Sequence, residues 1–266
     1  MLRWTITTGL ATGQTLEEAI VKGTLEVLER DAFMVTYLNH ISPTLLDASS
    51  IEDAELQKIF SRFRRYKLRV VIAELENILG IPTHMVLLLD EEGRGNQPYC
   101  TIGASTNFDT KQSILSALSE ALFVRYSIKN ESVHGDALTR KIDPKQMGLE
   151  DRIRYYARKE NFSKIAFLTE GPTKKVCIEQ NIYAHTQKRS DRYKRELVFL
   201  KQLLTAHKIE GAYVELSTSP FEHLGLCSVF AILPSLQPLH PAEHIPYFSG
   251  HRINKSKLYV EPHPFP

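Results

Sequence analysis

Glu26, Glu29 and Arg30 stand close together in the stretch TLEVLERDAF, with Asp31 directly after them. On a helix turning about 100° per residue, Glu26 meets Glu29 at the i,i+3 position and Arg30 at i,i+4, so the three can address one ligand. Two adjacent carboxylates repel each other and favour a hard dication. Mg²⁺ in particular binds through one or two carboxylates together with substrate phosphates, and an arginine beside them suits phosphate oxygens. The bland alternative is a solvated face carrying an ion pair worth about a few tenths of a kcal/mol. Asp31 fits that alternative poorly. It falls inside the apolar stripe of Leu16, Ile20, Val27, Met34 and Leu38 and needs a partner if buried.

The same arrangement occurs a second time. Setting GLATGQTLEEAIVKGTLEVLERDA from Gly9 against GASTNFDTKQSILSALSEALFVRY from Gly103 aligns Thr12 with Thr106, Ile20 with Ile114, Glu26 with Glu120 and Leu28 with Leu122, without a gap. Helix-start residues coincide as well: Thr15 with Asp109, and Glu18 with Gln112. Two strand–turn–helix units would then each aim one glutamate from the same helical depth. Glu120 becomes a third carboxylate for the site, and Arg125 follows it on the same helix. Glycine turns before both helices would let backbone N–H groups approach an anion. The turn GLATGQT matches neither a Walker A nor a dinucleotide fingerprint.

The elements that must position these groups are legible in outline. Residues 3–8 read as a strand, 9–14 as a glycine-containing turn, and Thr15 to about Asn39 as a helix that Pro43 closes off. Residues 52–66 suggest an amphipathic helix and LRVVIAEL a strand. IPTHMVLLLD and PYCTIG form a hairpin around a glycine-bearing loop, and residues 109–129 a second capped helix. EDRIRYYARKE and DRYKRELVFLKQLLTAHK read as helices, GAYVELS and CSVFAIL as strands, and the tail from Pro234 is rich in Pro and His. Helices and strands mix without regular alternation, so the expected class is α+β. Residues 1–142 would carry the repeated strand–helix units of the site, and residues 143–266 a C-terminal α/β part.

Composition bounds the function. The 266 residues are 42% hydrophobic and 24% charged with a net charge of +2, which predicts no nucleic-acid binder. Apolar runs such as 85–89 and 229–233 fall far short of the about 20 residues of a membrane helix, and MLRWTITTGL lacks a secretory h-region. The expectation is a cytoplasmic protein without membrane contact. Cys100, Cys177 and Cys227 are scattered and suggest buried thiols rather than disulfides or a zinc knuckle.

TTGLATGQTLEEAIVKGTLEVLERDAFMVTYLNHISP closely resembles the YcaO family, in its SagD-like branch of azoline-forming cyclodehydratases. TIGAS, ALSEALFVR, LEDRIRYYA, STSPFEHLGL, LPSLQPLHPAEH, SGHRI and the closing EPHPFP follow in that family's order. The resemblance implies a mixed α/β fold and an ATP- and Mg²⁺-dependent enzyme that acts on Cys, Ser or Thr of a ribosomally made precursor peptide. In that chemistry the side chain adds to the preceding amide carbon, ATP phosphorylates the former amide oxygen, and loss of phosphate leaves a thiazoline or oxazoline. By match, Glu26, Glu29 and Glu120 would bind the metal. Arg30 would face the phosphates, and Arg125 would join Glu120 at the nucleotide site. The tail, with Pro264 and Pro266, would approach the reacting amide. The family's usual partner, ubiquitin-activating-like or winged-helix, would present the peptide leader, and a homodimer is conceivable by the same resemblance.

Four departures stand out: Thr8 where the family usually has Asn, Phe123 in place of a polar residue, Arg152 in place of His, and no segment matching the family's upstream half. They motivate the alternative of a non-catalytic docking subunit. Of the other residues, His240 and His244 have i,i+4 spacing broken by Pro241, which argues against a metal site between them. His263 sits in a stiff PHPFP segment expected to dock. Arg252 is a candidate anion contact, Trp4 a core or interface anchor, and QKRSDRYKRE a solvated helix start.

Overall fold

The computed structural model describes residues 6–265 apart from 94–96, 135–137, 177, 179–188, 245 and 249. The chain runs β1 (Leu10–Gly13), α1 (Leu16–Leu38), β2 (Thr44–Leu46), α2 (Ala54–Arg65), β3 (Leu68–Glu74), β4 (Thr83–Asp90), β5 (Cys100–Thr106) and α3 (Thr110–His134). It continues with α4 (Leu149–Tyr156), β6 (Thr173–Lys174), α5 (Arg189–Ala206), β7 (Ala212–Glu215), α6 (Ser219–His223) and β8 (Cys227–Ile232). The strands form two sheets. One has the order β1-β8-β7 and is antiparallel; the other has the order β5-β4-β3-β2-β6 and is antiparallel except for the parallel β2–β6 pair. The mixed α+β class is as expected.

Helix α1 lies between the sheets, packing on β1 and β8 of one and on β4 and β5 of the other. From Gly23 to Leu38 every residue is buried except Glu26 and Arg30. This corrects the reading of a one-sided stripe: a helix with neighbours all round is hydrophobic all round. Its ions are therefore no solvated face. Leu16 and Ile20, near its start, are only half-buried. Burying Phe33, Met34 and Leu38 contributes about 1.5–3 kcal/mol each.

Strand β4 is buried over all eight residues because both its faces are covered. Met85, Leu87 and Leu89 join the core around Phe33 and Tyr37, while Val86 and Leu88 join Leu56, Phe60 and Ile114 under α2 and α3. The first of these cores also takes in Tyr156, Phe167, Leu239 and Phe265, so both halves of the sequence share it.

Of the expected strand over 3–8, the described residues 6–8 are not strand. Residues 1–5, with Trp4, lie outside the described residues; a turn closes with Leu10 N–H on Thr7 O at 2.9 Å, and the strand is Leu10–Gly13. Gly9 explains the shift. Its φ is +95°, and a Cβ there would sit 2.2 Å from Ala231 O, so only glycine turns the chain onto β8 at this point.

Candidate functional site

The two expected units are present in register. α1 starts at Leu16 and α3 at Thr110, an offset of 94 (110 − 16) shared by Gly9 with Gly103 (103 − 9) and Glu26 with Glu120 (120 − 26). The close approach of helix to strand recurs at matching places. A Cβ on Gly23 would meet Gly9 O at 2.5 Å, and one on Gly103 would meet Ala117 O at 2.4 Å. Both helices begin with side-chain caps: Thr15 Oγ1 accepts Glu18 N–H at 3.2 Å, and Asp109 Oδ1 accepts Gln112 N–H at 3.1 Å. The reciprocal half of the first box reaches one residue further back, with Glu18 Oε2 accepting Gln14 N–H at 3.2 Å.

β1 and β5 are edge strands of their sheets; Glu120 takes an N–H group of β5 itself, and Glu26 one in the turn just before β1. Glu26 Oε2 accepts from Gly9 N–H at 3.1 Å, and Glu120 Oε2 from Ala104 N–H at 2.7 Å. Glu29 accepts from the backbone of Thr106. These backbone donors were not legible as site residues, because side-chain type says nothing about which strand edge is open.

Burial pushes the Glu29 carboxyl up to about 8 against the pull of Arg30, and repulsion from Glu120 and Glu26 adds to the rise. Burial likewise raises Glu26 over the effects of Arg30 and the Gly9 N–H, and raises Glu120 over those of Arg30 and the Ala104 N–H. Arg30 reaches Glu29 at 3.5 Å and Glu26 at 3.8 Å, too far for hydrogen bonds, and its guanidinium lies 4.1 Å from the Phe265 ring centre. Three desolvated carboxyls around one guanidinium form a site short of positive charge. That donor chemistry fits a hard cation with phosphate oxygens. The spacing is wider than one bare ion held by all three would require, since among the described residues the only group whose ligand atoms all lie within 4.8 Å of one another is elsewhere.

Arg125 stands apart from this cluster. Its guanidinium pairs with Asp90 at 3.0 Å and bonds Pro98 O, buried at the end of β4. Five helical positions after Glu120, it points about 140° away round the axis. Asp31 has the partners its burial demands: Oδ1 accepts Gln237 N–H at 2.8 Å, and Oδ2 pairs with Arg252. Arg252 is thereby engaged with a core carboxylate, where an anion contact was expected. Arg152, buried, pairs with Glu243 at 2.7 Å.

The tail docks along the second half of α1. Tyr37 Oη donates to Pro262 O at 2.6 Å, Tyr259 N–H to Leu38 O at 2.9 Å, and the Phe265 ring lies 4.6 Å from that of Phe33. Pro264 is buried within this segment, beside the Phe265 that Arg30 covers; Pro266 lies outside the described residues. Cys100 is buried as expected, Cys227 is only half-buried, and Cys177 lies outside the described residues.

A family model described as "YcaO cyclodehydratase, ATP-ad Mg2+-binding" matches residues 1–237. The chain belongs to the YcaO family. An uncharacterized protein of Methanothermobacter thermautotrophicus is 27% identical to this YcaO chain over 114 residues, which are 43% of the chain and 30% of that protein. Three solved structures share the YcaO chain's fold. The heterocyclase TruD has a TM-score of 0.67 at 18% identity, covering 98% of this chain and 34% of its own. YcaO from Methanopyrus kandleri bound with AMPPCP and Mg²⁺ has a TM-score of 0.60 at 17% identity, covering 97% and 59%. The E. coli microcin synthetase McbBCD complex with pro-MccB17 bound has a TM-score of 0.62 at 16% identity, covering 97% and 63%. The YcaO chain spans about 30% of the length of the curated relatives it matches. No helix among its described residues is long and apolar enough to cross a membrane.

Proposed function

We propose that this chain is the ATP-site component of a YcaO cyclodehydratase that converts Cys, Ser or Thr of a ribosomally made precursor peptide to azolines. The observation that carries the reading is the meeting of Glu26, Glu29 and Glu120, from two equivalent helices, around Arg30, with the docked tail against the same guanidinium. Glu26, Glu29 and Glu120 would hold Mg²⁺ in part through water and phosphate oxygens, and Arg30 would take phosphate charge. Bound ATP would supply the phosphoryl group that turns an amide oxygen, a poor leaving group, into a good one. The chain's own residues would orient that nucleotide and keep the site partly dry, and Pro264, in the docked tail, would border the place where the peptide amide lies.

A ubiquitin-activating-like or winged-helix partner would present the peptide leader, and the reaction would belong in the cytoplasm, where precursors are made. Family membership, an AMPPCP- and Mg²⁺-bound relative, and a relative in complex with a peptide precursor support this reading. The test is phosphate release by the chain with its partner and precursor. Release should require the peptide and should fall about 100-fold in Glu26→Gln; turnover unchanged by that substitution would overturn the assignment.

A second reading, a non-catalytic peptide-docking subunit of the same maturation complex, is favoured by the wide spacing of the three carboxylates. It predicts peptide binding with no heat on addition of Mg²⁺–ATP.

A further inference from the structure

A second cluster of donor groups lies beneath the tail. One ring nitrogen each from His240 and His263 and a carboxylate oxygen of Glu243 lie within 4.8 Å of one another. The two imidazoles are 4% and 0% exposed, with ring centres 4.7 Å apart. His240 Nε2 faces Glu243 Oε2 at 3.4 Å, and His263 Nε2 faces His240 O at 3.3 Å. Each of these contacts accounts for one ring nitrogen and leaves the other, Nδ1, over. Both Nδ1 atoms are buried and have no hydrogen-bond partner. Buried ring nitrogens without partners are costly in so dry a place.

The remaining groups suit a cation. Arg152 occupies Glu243 Oε1 at 2.7 Å, which neutralises the guanidinium and leaves Oε2 turned to the imidazoles. A ligating carboxylate is commonly oriented by an outer partner in this way.

We propose that His240, Glu243 and His263 bind one zinc ion that fastens the C-terminal tail to the loop after β8. Two imidazoles and a carboxylate are a zinc ligand set, and a water or a further protein oxygen would fill the fourth position. The ion would be a staple. His263 lies next to Pro262, which Tyr37 and Tyr156 grip, and two residues before Phe265, which underlies Arg30. Fixing His263 fixes the segment that borders the carboxylate cluster. The inference concerns how the tail is anchored and holds whether or not the chain is a cyclodehydratase.

The experiment is zinc titration by calorimetry of the full chain after chelator treatment, with the absorption spectrum of the cobalt-loaded protein alongside. The wild type should take up about one zinc per chain, and its cobalt form should show the intense visible bands of a tetrahedral site. His263→Gln should bind zinc at least about tenfold more weakly and release its tail to proteolysis sooner. The Glu26→Gln/Glu29→Gln double variant should keep the wild-type zinc stoichiometry, which separates this site from the carboxylate cluster. Should His263→Gln fail to fold, the wild-type cobalt spectrum decides alone. A wild type that binds no zinc and gives no tetrahedral cobalt bands would overturn the proposal, as would His263→Gln binding with wild-type affinity.

Discussion

The β1–α1 and β5–α3 units are two copies of one device put to unequal use. Each sets a glutamate, Glu26 or Glu120, against a backbone N–H of its own strand segment, and each presses helix against strand at a glycine. The next positions diverge. At the same offset, Glu29 corresponds to Phe123 and Arg30 to Val124. Glu29 is buried between the sheets, whereas Phe123 is 71% exposed. The repeat therefore delivers one latched carboxylate per unit. The further carboxyl and the guanidinium that complete the cluster come only from the unit whose helix is covered on all sides, and there burial raises the Glu29 carboxyl.

The glycines offer the strongest way to break the comparison. Gly9 combines a φ of +95° with a 2.2 Å approach to Ala231 O, whereas Gly103 has an ordinary φ and close approaches to Ala117 O at 2.4 Å and Ala121 N at 2.5 Å. Gly9→Ala should cost about 3 kcal/mol or more and Gly103→Ala about 2 kcal/mol, read as urea midpoints. An equal or milder loss at Gly9 would show that its turn is not strained for other residues.

Next in size is a dependence on pH. Unfolded Glu29 titrates near 4.5 and folded Glu29 at about 8, so the folded chain keeps a proton that the unfolded chain gives up between these values. The contribution of Glu29 to stability should be full below pH 4.5 and fall as pH rises to about 8, with Glu26 and Glu120 acting in the same direction. Glu29→Gln should flatten much of that fall and melt above the wild type near pH 8 in thermal scans. An equally steep fall in the variant would remove Glu29 from the account. The smallest effect belongs to the corresponding residue of the other unit: Phe123→Gln should change stability by less than about 0.5 kcal/mol and leave the pH profile as it was.

What the sequence made legible was local. The periodicity and caps of α1 and α3 come from neighbours within a turn or two, and so does the grouping of Glu26, Glu29 and Arg30. Strand β1 was misplaced because LATG has little intrinsic strand preference and becomes a strand by pairing with β8, whose residues come more than 200 positions later. Asp31 was recognised as needing a partner, but its partner Arg252 was assigned to another role because nothing local links them. Arg125 was placed with Glu120 by nearness along the chain, whereas helical rotation sends it to Asp90. The docking of the tail was expected, but its partners are equally non-local: Pro262 is held by two tyrosines from distant helices.

The central claim is that Glu29 waits with its proton on, beside Glu26 and Glu120, for a magnesium-bridged nucleotide. Its most direct test is calorimetry of Mg²⁺–ATP binding near neutral pH in buffers of differing ionisation enthalpy. The account predicts heats that vary with the buffer as Glu29 gives up its proton on binding, and a loss of that variation in Glu29→Gln. Binding with the same heat in every buffer, or no binding by the chain together with its partner, would contradict it.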